Sequence, residues 1–260
     1  MSEPLLVAEN LVKSYRGGVR AVDGISFAVA AGETVGIVGE SGCGKSTTAR
    51  MTLRLLDADS GNLRFAGTDL GKARGKNLRR LRKRLQFVPQ NPQTSFNPRL
   101  SIGASIAFNL TVHGMEAAKA KARARVLLEQ VGLGASYASR RPSALSGGQL
   151  QRAAIARALA TDPELVICDE AVSALDKSVQ AQVLNLLARL QRDTGVAFLF
   201  ITHDLSVVEH ISDRVLVMNK GKIVEEGPAK QVWSEPKDSY TRALLAASPE
   251  KIAGRIGGHR

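Results

Sequence analysis

The sequence predicts an α/β protein with a mainly parallel sheet, an antiparallel β region at its start and a helical insertion in its middle. Three observations predict it. Short apolar runs at 34–38, 165–168 and 197–201 alternate with helix-patterned segments, as in a parallel sheet covered on both faces. The first run, TVGIV, feeds the glycine-rich GESGCGKST, which opens a helix. The other two lead into polar residues, Asp169-Glu170 and His203, at the carboxyl edge where ligands gather in such sheets.

The elements follow in order. Segments 5–12 and 25–29 alternate apolar and polar residues and read as strands joined through the Arg16-Gly17-Gly18 turn; 34–38 is a short buried strand. Segment 44–56 reads as a helix, and 62–66 and 85–89 as further strands. The character then changes. EAAKAKARARVLLEQV, 116–131, is rich in alanine and unbranched side chains, the composition of a helix. Strands return at 165–168 and 197–201, separated by a helix over 179–191. Segments 214–218 and 222–225 flank Asn219-Lys220-Gly221 as a hairpin, and 250–260 is expected to fray.

Composition excludes several classes. With 260 residues and 44% hydrophobic content, the chain can bury the core of one large domain or two small lobes. Its apolar runs are too short to cross a bilayer, and MSEPLLVAEN lacks a secretory pattern, so a cytoplasmic setting is expected. Cys43 and Cys168 lack metal-ligand spacing and read as small hydrophobes. A net charge of +12 admits nucleic acid, an anionic membrane surface or nucleotide phosphates as partners. Much of it lies in KARGKNLRRLRKR, 72–84, where basic residues fall at nearly every helical azimuth and no aromatic interleaves them; this reads as a solvated face.

The chemistry concentrates in four places. GESGCGKST fits G-x-x-x-x-G-K-[ST]: Gly39, Gly42 and Gly44 let the backbone of Glu40, Ser41 and Cys43 wrap phosphate oxygens, Lys45 reaches the β and γ phosphates, and Ser46, beside Thr47, can ligate magnesium. LVICDE ends in Asp169, placed to hold magnesium through water, and Glu170, placed to orient or deprotonate an attacking water. His203 reads as a γ-phosphate contact; His113, His210 and His259 have no such placement. Gln90, after LQFVP, can offer its amide oxygen to magnesium or water. LSGGQ is a second phosphate-suited helix start: Ser146 brings a hydroxyl, Gly147 and Gly148 unobstructed N–H groups, and Gln149 an amide. One chain thus carries two.

In the order Tyr15, GESGCGKST, Gln90, LSGGQ, LVICDE, SALD ending at Asp176, and His203, the chain resembles the ATP-binding subunits of ABC transporters over nearly its full length. That resemblance implies a RecA-like P-loop NTPase core with an N-terminal antiparallel β subdomain. It implies a nucleotide-binding domain over 1–235, a helical subdomain inserted at about 93–162 and a C-terminal extension and flexible tail over 236–260. It implies Tyr15 stacked on adenine, Asp176 in the D-loop, and Ser146, Gly147, Gly148 and Gln149 on the γ-phosphate of ATP held by a partner subunit. The activity implied is MgATP hydrolysis, coupled through closure of two such domains to transmembrane permease subunits at the cytoplasmic face of the inner membrane.

Within the family, QNPQTSFNPR and EPKDSYTRALLAASP are similar to the oligopeptide, dipeptide and nickel importer group, whose two permeases work with an extracytoplasmic solute-binding protein. Asn91, Leu150, Ala171 and Asp238-Ser239 depart from that group's usual aspartate, arginine, proline and His-Pro. The solute, and the choice between homodimer and heterodimer, stay open. Two other readings are disfavoured: a soluble ABC ATPase acting on nucleic acid or the ribosome, which charge supports but a single nucleotide domain with no long coiled-coil insertion and no zinc motif does not, so no nucleic acid is expected as a partner; and a P-loop small-molecule kinase, in which LSGGQ has no task.

Overall fold

The computed structural model describes residues 3–247, so the tail expected over 250–260, with His259, lies outside the described residues. The chain forms two compact units: one from the segment up to Lys72 together with the segment from Leu199 onward, the other from Ala73–Phe198.

The first unit opens with an antiparallel sheet. β1 (Leu6–Ser14) pairs with β2 (Arg20–Val29), Leu6 opposite Val29 and Leu11 opposite Ile25, and one face buries Leu6, Ala8, Leu11, Ile25 and Phe27. The register shifts between Ala8 and Leu11, where Asn10 takes φ 49° and its N–H donates to Ser26 Oγ at 2.8 Å. This bulge keeps Leu11 on the buried face despite the extra residue. β3 (Thr34–Val38), buried throughout, leads into the glycine loop and α1 (Lys45–Thr52). The helix expected to reach 56 stops at Thr52, because Arg54 takes φ 55° and its guanidinium bonds the carbonyls of Leu70 and Gly71. β4 (Ser60–Phe65) and β5 (Thr68–Asp69) complete the sheet in the order β2-β1-β4-β5.

The second unit begins with α2 (Gly75–Arg84), and here the expectation of charge at every azimuth is corrected. Leu78, Leu81 and the following Leu85 share one face, with Leu81 fully buried, while Lys76, Arg79, Arg80 and Lys83 are exposed away from it and Arg82 is exposed at its flank. The basic residues therefore form one broad face. β6 (Leu85–Val88), α3 (Pro92–Ser95), α4 (Ile102–Val112), α5 (Ala117–Gln130) and α6 (Gly147–Leu159) follow, then β7 (Leu165–Asp169), α7 (Lys177–Thr194) and β8 (Ala197–Ile201). α4 lies within the helical subdomain expected at about 93–162 but is not marked as an element by the sequence, since IGASIAFNLTV mixes glycine with β-branched residues of weak helix propensity. Burial overrides propensity there: Ile102, Ile106 and Leu110 form one buried stripe, and Ser101 Oγ caps the helix by accepting from Ala104 N–H at 3.2 Å. β6 and β7 run parallel, Val88 opposite Cys168, in the order β6-β7-β8.

β8 ends in the first unit, where the order is β8-β3-β9-β10. β9 (Arg214–Asn219) runs parallel to β3 with Ile37 opposite Leu216, and it joins β10 (Lys222–Pro228) through the expected hairpin, Lys220 at φ 45° and Gly221 at φ 81°. α8 (Leu205–Ile211), α9 (Ala229–Ser234) and α10 (Ser239–Ala246) pack on this sheet through Val38, Leu205, Val208, Val217, Trp233 and Leu245.

Candidate functional site

In the first unit, the fully buried β3 delivers the chain to Gly39–Thr47 at its carboxyl end. Gly44 stands at the start of α1 with φ 109°, and a Cβ there would lie 2.1 Å from the Ala21 carbonyl oxygen, so only glycine fits. No side chain caps α1 and no acid occupies its first turn, which leaves the helix start suited to an anion. Lys45 is buried. Its Nζ donates to the carbonyl oxygens of Gly39 at 2.7 Å and Glu40 at 2.8 Å, and lies 3.8 Å from Cys43 Sγ. The lysine thereby holds the loop wrapped around its own ammonium.

Tyr15, just after β1, is 44% exposed, and its hydroxyl lies 3.4 Å from Thr47 Oγ1. The fold thus brings an exposed aromatic ring beside the glycine-rich loop. His203 follows β8 at the same sheet edge: Thr202 N–H donates to Ile37 O at 3.2 Å, and Asp204 N–H donates to Thr202 Oγ1 at 3.0 Å. His203 is exposed on that turn, directly before the residue that caps α8.

In the second unit, β7 carries Asp169 at its end and Glu170 immediately after it. Glu170 adopts φ 48°, a left-handed conformation uncommon for a residue with a side chain. Gln90 Nε2 donates to its carboxylate Oε2 at 2.8 Å, so two candidates far apart in sequence meet. That bond uses the amide nitrogen of Gln90; its other end is a carbonyl oxygen, which can only accept. Asp176 caps α7, its Oδ1 accepting from Val179 N–H at 2.9 Å.

The second helix start is built differently from the first. Ser146 Oγ accepts from Gln149 N–H at 3.3 Å, and Gln149 Oε1 accepts from Ser146 N–H at 3.0 Å, a reciprocal capping box. Gln149 Nε2 also donates to the Tyr137 hydroxyl at 3.1 Å. The Gln149 side chain is therefore engaged in holding the turn, while the Ser146 hydroxyl keeps its own proton to donate and the N–H groups of Gly147 and Gly148 head the helix. Gly148 lies against α7: a Cβ there would sit 2.5 Å from Val179 Cγ1.

Both thiols are poor nucleophiles. Burial pushes the Cys43 thiol up, with the Lys45 charge opposing, and burial followed by the Asp169 charge pushes Cys168 up further. Sequence reasoning missed two supports of the phosphate loop. Gly221 N–H, in the β9–β10 turn, donates to Cys43 O at 3.0 Å, and the Tyr240 hydroxyl accepts from Glu40 N–H at 3.1 Å. Tyr240 had only its place in a C-terminal pattern to mark it.

Residues 22–173 match the family model described as ABC transporter. The chain belongs to the ABC transporter family. This ABC ATPase is 50% identical to the probable peptide ABC transporter ATP-binding protein of Sinorhizobium fredii, across 96% of the chain and 74% of that protein. It is 47% identical to the oligopeptide transport ATP-binding protein OppF of Bacillus subtilis, across 96% of the chain and 84% of the relative. The glutathione import ATP-binding protein GsiA of Escherichia coli is 49% identical, and there the chain spans 41% of the relative's length. Among solved structures, cbiO1 from Clostridium perfringens, part of an ABC transporter complex, aligns with a TM-score of 0.83 at 26% identity over 98% of the chain and 99% of its own. The ATP-binding cassette MJ0796, a dimer in a post-hydrolysis state with ADP and phosphate, aligns with a TM-score of 0.78 at 27% identity, over 86% of this chain and 98% of its own.

As an ABC ATPase the chain binds and hydrolyses ATP with Mg2+. The donor types present suit both: backbone N–H groups and the buried Lys45 ammonium suit phosphate, and hydroxyl, amide and carboxylate oxygens such as those of Ser46 in the first unit and of Gln90 and Asp169 in the second are, each by itself, of the kind a hard cation takes. It is the ATP-binding subunit of an ABC transporter, and among its described residues no helix is long and apolar enough to cross a membrane.

Proposed function

We propose that this subunit powers import of peptides or related small solutes from the cytoplasmic face of the inner membrane. In that reading it pairs with a second ABC ATPase, a copy of itself or a related chain, beneath two permease subunits served by an extracytoplasmic solute-binding protein. The peptide, oligopeptide and glutathione names of its relatives support this class. The observation that carries the pairing is the exposed, cap-ordered start of α6 in a chain that already has a complete phosphate loop. The start of α6 takes the γ-phosphate of ATP held by the other subunit.

The residues then divide the work. Tyr15 stacks on adenine; Gly39, Glu40, Ser41, Gly42, Cys43, Gly44 and Thr47 shape the loop around the phosphates; Lys45, steadied by the loop carbonyls, reaches the β and γ phosphates with the ammonium's remaining donor capacity. Ser46, Gln90 and, through water, Asp169 would hold Mg2+, which when bound would neutralise phosphate charge. Glu170 takes the proton of the attacking water, Gln90 fixes the carboxylate that does so, and His203 contacts the γ-phosphate. Asp176, beyond capping α7, belongs to the D-loop. We also read 1–235 as the nucleotide-binding domain, 93–162 as its inserted helical subdomain and 236–260 as an importer-type extension.

Ser146→Arg tests the pairing. It should abolish hydrolysis while ATP binding, followed with a fluorescent ATP analogue, stays near wild type, because the phosphate that Ser146 serves belongs to the other subunit. Hydrolysis at the wild-type rate would refute this.

A further inference from the structure

One peptide plane at the mouth of the phosphate loop is held from both sides. The Gly39–Glu40 peptide offers its carbonyl oxygen to Lys45 Nζ at 2.7 Å, and its N–H to the hydroxyl of Tyr240 at 3.1 Å. Tyr240 lies 200 residues further along the chain, on α10. We propose that Tyr240 is a positioning residue for ATP binding, orienting the Gly39–Glu40 peptide so that its carbonyl keeps the Lys45 ammonium within the loop.

The placement of Tyr240 is itself determined. Asp238 caps α10, its Oδ1 accepting from Tyr240 N–H at 2.8 Å. The Glu225 carboxylate on β10 accepts from the N–H groups of Lys237 at 2.8 Å and Asp238 at 3.1 Å. Burial raises the Glu225 carboxyl, but these N–H bonds, together with the Thr241 hydroxyl and the Lys237 charge, outweigh it and hold the group below its usual range, so it stays an acceptor near neutrality. At the other end of the helix, Leu245 is buried in the same cluster as Val38, the last residue before Gly39, and the ring of Tyr240 packs against that cluster. α10 thus meets the loop twice, once through packing beneath it and once through a hydroxyl beside it. Without the hydroxyl, the peptide is restrained only from its carbonyl side, and it can rotate away from the lysine.

This inference rests on the reading of residues 39–47 as the phosphate site, and the test separates the two. Tyr240→Phe keeps the ring in its cluster and removes only the acceptor. In the assembled transporter, KM for ATP should rise about three- to tenfold, the scale of one lost hydrogen bond, with kcat within about twofold of wild type. Amide exchange at Glu40 should speed up in the full chain while its melting temperature stays unchanged. A KM within about twofold of wild type, or a fall in melting temperature that accounts for the lost activity, would overturn the proposal. Lys45→Ala run alongside reports on the underlying reading: if it abolishes ATP binding while Tyr240→Phe changes nothing, the loop is the phosphate site and Tyr240 does not position it.

Discussion

Replacing Glu170 with glutamine isolates one chemical function from everything that surrounds it. The amide has the shape of the carboxylate, and its oxygen can still accept the hydrogen bond that Gln90 Nε2 now gives at 2.8 Å. The left-handed backbone at Glu170, φ 48°, has the same steric cost for either residue, so fold and nucleotide binding are preserved. What disappears is the proposed base. General-base assistance is worth about 10² to 10⁴ in rate, or about 2.7–5.5 kcal/mol of barrier. Steady-state phosphate release by Glu170→Gln should therefore fall by at least about 100-fold, with ATP affinity within about twofold of wild type. The variant should also accumulate ATP-bound pairs, visible as a doubled mass by light scattering, because the step that reopens them is blocked. Turnover above about one-tenth of wild type would refute the assignment of Glu170.

Tyr15→Ala should weaken ATP binding by about 1–3 kcal/mol if stacking on adenine follows the base-stacking scale, with little change in binding of inorganic triphosphate, as competitive titration can show. Gly148→Ala drives a Cβ to 2.5 Å from Val179 Cγ1 and should cost about 1–3 kcal/mol in denaturant unfolding, much of it recovered in the double variant with Val179→Ala. His113 is held below its ordinary value of 6.5 by burial and then by the Arg79 and Lys83 charges. Its folded pKa is depressed, so its contribution to stability is present above 6.5 and is lost as pH falls through the lower folded value. Thermal melts should accordingly show a loss on acidification below 6.5 that is smaller in His113→Gln.

Much of the architecture was legible because strong local signals agreed with the tertiary answer. AFLFI is apolar at every position, TVGIV at every position after its threonine, and both are buried throughout. In GESGCGKST, Gly44, with the Ala21 carbonyl oxygen against it, admits no side chain. The errors came where burial decides against composition. α4 hides among glycine and β-branched residues, although the stripe Ile102, Ile106, Leu110 behind a Ser101 cap was there to be found. The basic helix was misjudged because charge was counted over 72–84, before the helix start at Gly75 fixed the phase that sets Leu78, Leu81 and Leu85 together. Contacts across long sequence distance were the least accessible. Nothing local in Tyr240 points to Glu40, and the Gln90–Glu170 bond joins residues whose motifs were read separately.

The central claim is that a single chain is an incomplete ATPase, with its phosphate loop and its α6 start serving different ATP molecules. Hydrolysis per chain at saturating ATP, measured while the protein is diluted until light scattering reports single chains, tests it most directly. The rate per chain should fall toward zero on dilution while bound nucleotide stays constant. A single chain that turns over ATP at the undiluted rate would contradict the claim.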